Sequence, residues 1–179
     1  HAAILVCTYP GLELVEIASA SGIINFPYVP GLLTFRELPL LEEAWGKLNH
    51  RPDILVCDGQ GRAHPRRIGL ASHAGLALDV PTVGCAKSRL TGTYNEPPAE
   101  RGSATPLYDE REIIGRVVRT RDCVKPLFVS VGHKVSLRQA VRLVLNLCRK
   151  YRQPEVIRYA HNEVNRIRRE VNSKKDIMI

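Results

Sequence analysis

Asp58 stands in Cys57-Asp58-Gly59-Gln60-Gly61, directly after the apolar run Asp53-Ile54-Leu55-Val56-Cys57. Such a run reads as a buried strand, and open α/β sheets place ligands at the C-terminal ends of parallel strands. A carboxylate there can hold Mg²⁺, which takes few protein oxygens and keeps several waters. Gly59 and Gly61 would let a substrate backbone approach closely. An Asx turn or a helix N-cap accounts for the same residues equally well. Glu37, in Thr34-Phe35-Arg36-Glu37, is either a second metal ligand or a favourable charge near a helix N-terminus. Lys87 closes the apolar run Thr82–Ala86 and could neutralise phosphate charge or steer an attacking water. Its plainer reading is a surface lysine that ends a strand. His133, in Gly132-His133-Lys134-Val135-Ser136, follows another apolar run. A histidine there could transfer protons near neutral pH, or be an isolated loop residue.

Two further groups suit nucleic acid. His64-Pro65-Arg66-Arg67 puts a ring and two cations at an expected helix start, where free N–H groups favour phosphate. A solvated basic turn is the alternative, and His73 further on reads as a packed histidine. Tyr28, held between Pro27 and Pro30, could wedge into a base stack or simply cover the core.

The chain has 26 Lys and Arg against 18 Asp and Glu, a net charge of +8 and a pI near 9.5, which favours polyanionic partners. Aromatic residues are only 6%, too few for a broad stacking platform. The five cysteines are odd in number and none forms a C-x-x-C pair, which opposes a zinc site or disulfide framework. No apolar run approaches the roughly 20 residues needed to span a bilayer. The start lacks a basic leader, so a cytoplasmic setting is expected.

These residues need elements to position them. Residues 2–8 and 12–20 read as a hairpin around Tyr9-Pro10-Gly11. A helix is expected from after Pro39 to about Lys47, and another from Pro65 to about Leu78. Strands 53–57 and 82–86, joined by that second helix, form a βαβ unit and should be parallel. Residues 91–111, with Pro97, Pro98, Gly102 and Pro106, read as an irregular loop. Residues 113–119 and 127–131 are further strands, and Ser136-Leu137-Arg138-Gln139 is a capping box opening a helix. A very basic helix over 155–171 and a frayed tail from 172 complete one domain spanning 1–179. The pattern is α/β, a mixed sheet flanked by helices.

Taken together the motifs are far more specific. Pro27-Tyr-Val-Pro-Gly-Leu-Leu-Thr-Phe-Arg-Glu37, Asp58-Gly-Gln-Gly-Arg-Ala-His-Pro-Arg-Arg-Ile-Gly-Leu-Ala-Ser-His73 and Gly132-His-Lys-Val-Ser136 stand in the order and spacing of the endonuclease V family. Val83-Gly-Cys-Ala-Lys87 fits as well, and the resemblance covers roughly residues 4–155. It implies a ribonuclease-H-like fold and hydrolysis of the phosphodiester one nucleotide 3′ of deoxyinosine, or of inosine in RNA. It also implies 5′-phosphate and 3′-hydroxyl ends and a need for Mg²⁺ or Mn²⁺. Asp58 and Glu37 then resemble the metal ligands, Lys87 and His133 groups around the scissile phosphate, and Tyr28 the wedge. Gly31, Leu33, Gly59, His64 and Leu70 fall where the family forms its pocket for a flipped base. The resemblance implies DNA, or RNA, containing inosine as the partner, and a monomer with no membrane role is expected. The family carries an earlier strand with Gly-x-Asp-Val, and this sequence opens at the family's second strand, so weak or absent turnover is the expectation. An inosine-recognising protein that does not cut, or another ribonuclease-H-like nuclease for branched DNA, are the alternatives.

Overall fold

The computed structural model describes residues 1–23, 26, 27, 29 and 31–176. β1 (Ala2–Cys7) and β2 (Leu14–Ala20) pair antiparallel as a sheet of their own. A second, mixed sheet runs in the order β3 (Leu55–Cys57), β4 (Thr82–Ala86), β7 (Leu127–His133), β6 (Glu112–Val118), β5 (Ala104–Asp109). β3 and β4 are parallel, as the βαβ reading required, and the other pairs are antiparallel. The helices are α1 (Thr34–Gly46), α2 (Leu70–Leu78), α3 (Leu137–Leu147) and α4 (Glu155–Asp176).

Alternation along the central strands decides what packs where. Val83, Cys85, Leu127 and Val129 join Ala140, Val144 and Cys148 of the α3 segment and Ile157 of α4 in one core. The intervening Ala86 and Phe128 belong to a separate cluster with Leu107, Ile114 and Val117. Under the hairpin, Ile4, Val6, Ala18 and Ala20 pack on Leu40 and Ala44 of α1 and on Leu48. The capping box forms as expected, with Ser136 Oγ accepting from the Gln139 N–H at 3.2 Å and Gln139 Oε1 accepting from the Ser136 N–H at 2.9 Å.

Four expectations need correction. α1 starts at Thr34, before Pro39, because burial of Thr34, Leu38, Leu40 and Ala44 fixes the helical face. Pro39, the sixth residue of the helix, forfeits one backbone bond and crowds the carbonyl of Phe35, a cost that this burial outweighs. α2 starts at Leu70, not Pro65. Residues 60–69 form turns and bends pinned beside the sheet instead, with the Arg62 N–H donating to Val131 O at 2.8 Å, and the Ala71 N–H donates to Gln60 O at 3.0 Å. The expected loop 91–111 contains β5, whose Pro106 is tolerated because β5 is an edge strand. α4 runs to Asp176, past the expected end at 171. All five cysteines are free; Cys57, Cys85 and Cys148 are buried and Cys123 is exposed.

Glu16 of β2 ties the hairpin to the segment after α1. Its carboxylate accepts from the Asn49 N–H at 2.9 Å and the His50 N–H at 2.8 Å. These backbone donors, with smaller help from the two side chains, hold its pKa at about 2 instead of the usual 4.5. A depressed folded pKa gives stability that is full above the unfolded value and lost as pH falls through the folded one. Glu16→Gln is therefore expected to lower the melting temperature most above pH 4.5, the difference vanishing toward pH 2. Melting both proteins across that range checks it; a gap unchanged at pH 2 would put the effect elsewhere.

Candidate active site

β3 ends at Cys57, and the Gly59 N–H turns back onto Cys57 O at 2.9 Å, which lifts Asp58 clear of the sheet. Parallel β4 ends beside it, so Lys87 reaches across and its Nζ lies 2.9 Å from Asp58 Oδ2. Glu37, in the first turn of α1, faces the same place. Burial first, then the nearby Asp58 charge, push its carboxyl above the usual range, while Arg36 opposes them. A group of like charges sharing one wall is an arrangement that a cation relieves.

Glu37 and Asp58 open onto a groove of about 660 Å³ between β1, α1, β3 and α4. His161 of α4 lines that groove and also a smaller recess beside Lys87. Sequence reasoning missed His161. The signal was there: Ile157, His161 and Val164 recur at helical spacing, so the exposed His161 shares the face of α4 that borders the groove.

His133 is not brought to this place. β7 runs antiparallel to β4, pairing His133 with Thr82, whereas Lys87 follows the opposite end of β4. Five residues of strand separate the two ends by roughly 16 Å. His133 Nε2 lies 3.8 Å from Asp79, and its Cβ packs beside Gly75.

The expected base pocket divides into two contacts. Gly31, at φ +77°, sits beside His64 and Arg66, whose Nη1 donates to Gly31 O at 3.3 Å. His64 is buried, and burial, then Arg66, lower its pKa, favouring the neutral ring. Its Nδ1 accepts from the Arg66 N–H at 3.2 Å. Gly59 abuts Leu70, which lines the large groove with Asp58. Leu33 is exposed at the N-terminus of α1. Tyr28 lies outside the described residues. His64–Arg67 is a turn and not a helix start, and Arg67 is engaged by Asp109 and Glu112, each at 2.7 Å. His73 meets the edge of Phe35, the packing role read for it.

This sheet, these flanking helices and two acidic groups at one sheet end define an α/β ribonuclease-H-like fold, and solved relatives carry the same architecture. An endonuclease V structure from Streptomyces avermitilis superposes with a TM-score of 0.92 at 47% identity, over 95% of this chain and 75% of that one. The endonuclease V family model matches residues 1–162. Endonuclease V of Dictyoglomus turgidum is 52% identical over 158 residues, 88% of this chain and 69% of the relative. The chain belongs to the endonuclease V family. A Ciona intestinalis member, 27% identical with a TM-score of 0.74 over 91% of this chain and 78% of its own, was solved with a 24mer DNA containing an inosine followed by a ribo-adenosine.

Proposed function

We propose that the chain is a divalent-metal-dependent endonuclease that cuts beside inosine. It hydrolyses the phosphodiester one nucleotide 3′ of deoxyinosine, or of inosine in RNA, and leaves a 5′-phosphate and a 3′-hydroxyl. The observation that carries this reading is the Glu37–Asp58 pair, set beside Lys87 at one end of the parallel strands. The inosine-bearing DNA held by the Ciona relative supports the choice of substrate.

Glu37 and Asp58 are hard oxygen donors whose mutual repulsion fits Mg²⁺, with Mn²⁺ as substitute. Bound there, the ion would supply charge stabilisation at the phosphate. Lys87, now paired with Asp58, would turn to a phosphate oxygen once that carboxylate is engaged. His161, lining both cavities, is placed to give a proton to the departing 3′ oxygen. Tyr28 would act as wedge, and Gly31, Leu33, Gly59, His64 and Leu70 would hold the extruded base. Extrusion costs a few kcal/mol and is easiest for a poorly paired base such as inosine.

Among the described residues, no three acidic, histidine or cysteine side chains converge as a metal group. Two carboxylates hold an ion loosely, so turnover by this polypeptide is proposed to be weak. On this reading it acts as a monomer in the cytoplasm. Separately, no described helix is long and apolar enough to cross a membrane. The test is nicking of matched inosine and adenine duplexes with excess protein, with Mn²⁺ and with chelator. Slow, chelator-sensitive nicking confined to the inosine duplex is expected. Equal cutting of both duplexes would overturn the inosine reading, binding without any cutting would overturn the nuclease reading, and robust multiple turnover would overturn the weakness.

A further inference from the structure

Beside Lys87, the start of α4 frames a recess of about 220 Å³ lined by Lys87, Gln153, Ile157, Arg158, His161 and Asn162. No carboxylate lines it. The recess is large enough to admit a phosphate group. The Arg158 guanidinium lies 3.9 Å from the centroid of the Tyr151 ring. Stacking of that kind fixes the plane of the fork while leaving its N–H edge free to donate in pairs. The nearby carboxylates are engaged elsewhere. Glu155 accepts from the Lys150 N–H at 2.8 Å, and Glu163 pairs with Arg166 at 2.6 Å.

The recess is also fastened to the site. Arg152 Nη2 donates to Lys87 O at 2.9 Å and to Pro126 O at 2.8 Å, and its Nε donates to Lys125 O at 2.6 Å. The segment carrying Tyr151 and Arg158 is thereby tied to the backbone that carries Lys87. Lys87 belongs to both places, reaching Asp58 with its ammonium while lining the recess.

We propose that this recess binds the backbone phosphate next to the one at Asp58 and Lys87, with Arg158 as its paired-N–H donor and Tyr151 as the platform under the guanidinium. The proposal rests on the nucleic-acid reading above and adds to it a subsite that reads no base. Its work is register: a second fixed phosphate sets which linkage lies over the carboxylates.

Binding of short duplexes, followed by fluorescence anisotropy across salt concentrations, tests it. Arg158→Gln is expected to weaken binding roughly 5–10-fold near 0.1 M salt and to flatten the slope of log K against log salt by about one. Arg158→Lys should restore the slope but only part of the affinity, since an ammonium lacks the paired donors. Duplexes with one neutral methylphosphonate linkage, scanned along the strand, should show one position that costs the wild type affinity and costs Arg158→Gln none. Wild-type affinity and slope in Arg158→Gln would overturn the proposal. So would a methylphosphonate loss that persists undiminished in the variant, or weaker binding with an unchanged slope and a lowered melting temperature. All arms run on inosine-free duplexes too. A wild type that neither prefers nor cuts inosine would sink the nuclease reading, while the phosphate readout would still stand or fall by itself.

Discussion

Asp58→Asn is expected to abolish inosine-directed nicking, by roughly 10²–10³-fold or more, the loss seen when one preorganised electrostatic group is removed. The substitution keeps the shape and removes the charge, leaving Glu37 as a lone acidic donor. It also removes the charge from Lys87's 2.9 Å ion pair, leaving at most a neutral hydrogen bond. Both partners of that pair are substantially exposed, so stability should change by less than about 1 kcal/mol. Single-turnover nicking beside a thermal melt separates these effects; lost activity accompanied by a large drop in melting temperature would mean a structural role. The histidines sharpen the same experiment. His161→Ala should slow nicking by about 10²-fold or more if it hands over a proton, whereas His133→Ala should stay near wild type. A disabling His133→Ala beside a silent His161→Ala would move the chemistry to the other end of β4.

Gly84→Ala is expected to damage the fold severely for so small a change. A Cβ on Gly84 would stand 2.4 Å from the Gly61 nitrogen, 2.8 Å from the Gln60 carbonyl carbon and 2.8 Å from Gly59 O. All three are backbone atoms, so no side chain can swing aside. The turn cannot retreat either, because a Cβ on Gly61 would already meet Val131 O at 2.1 Å. Overpacking of this kind costs about 3 kcal/mol, a fall of roughly 6–12 °C in a protein of this size. Gly46→Ala is the control: nothing lies within 4 Å of its added methyl, and helix propensity makes it neutral or stabilising by up to about 1 kcal/mol. Urea melts of both variants decide it, and an undamaged Gly84→Ala would show the turn to be softer than its contacts imply. Because Asp58 adjoins that turn, activity should fall with stability.

Much of the scaffold could be read from local pattern. Thr82–Ala86 is apolar but for Thr82, whose hydroxyl is satisfied by Ala71 O, because the strand is buried on both faces, and it forms with the expected bounds. Ser136 and Gln139 satisfy each other at a helix start, an interaction contained within four residues. What stayed hidden was set at long range. Pro106 hides an edge strand, since a missing N–H matters only where a neighbour needs it. Pro65 resembles a helix start until Val131 and Gln60 claim the backbone on either side of it. His133 and Lys87 both follow apolar runs, yet only knowledge that β7 inserts antiparallel beside β4 separates them. The carboxylates and Lys87 were legible because strands joined through a helix must lie parallel. His161 entered through the docking of α4, which pairwise spacing hints at but does not place.

The hairpin of β1 and β2 has a consequence of its own. β1 and β3 are both outer strands of their sheets, and they flank the same groove. The hairpin is held by apolar side chains against α1, by Glu16 on the segment after α1, by α4 beside β1 and by contacts at its tip. There the Asn146 side-chain amide donates to Tyr9 Oη at 2.7 Å, and Arg149 donates to the Pro10 and Gly11 carbonyls. A two-stranded ribbon is marginal by itself. It should therefore open as one unit, well below the cost of unfolding the five-stranded sheet. That wall faces both carboxylates, so the lifetime of the site depends on the hairpin's grip on α1, on α4 and, through Glu16, on the segment after α1.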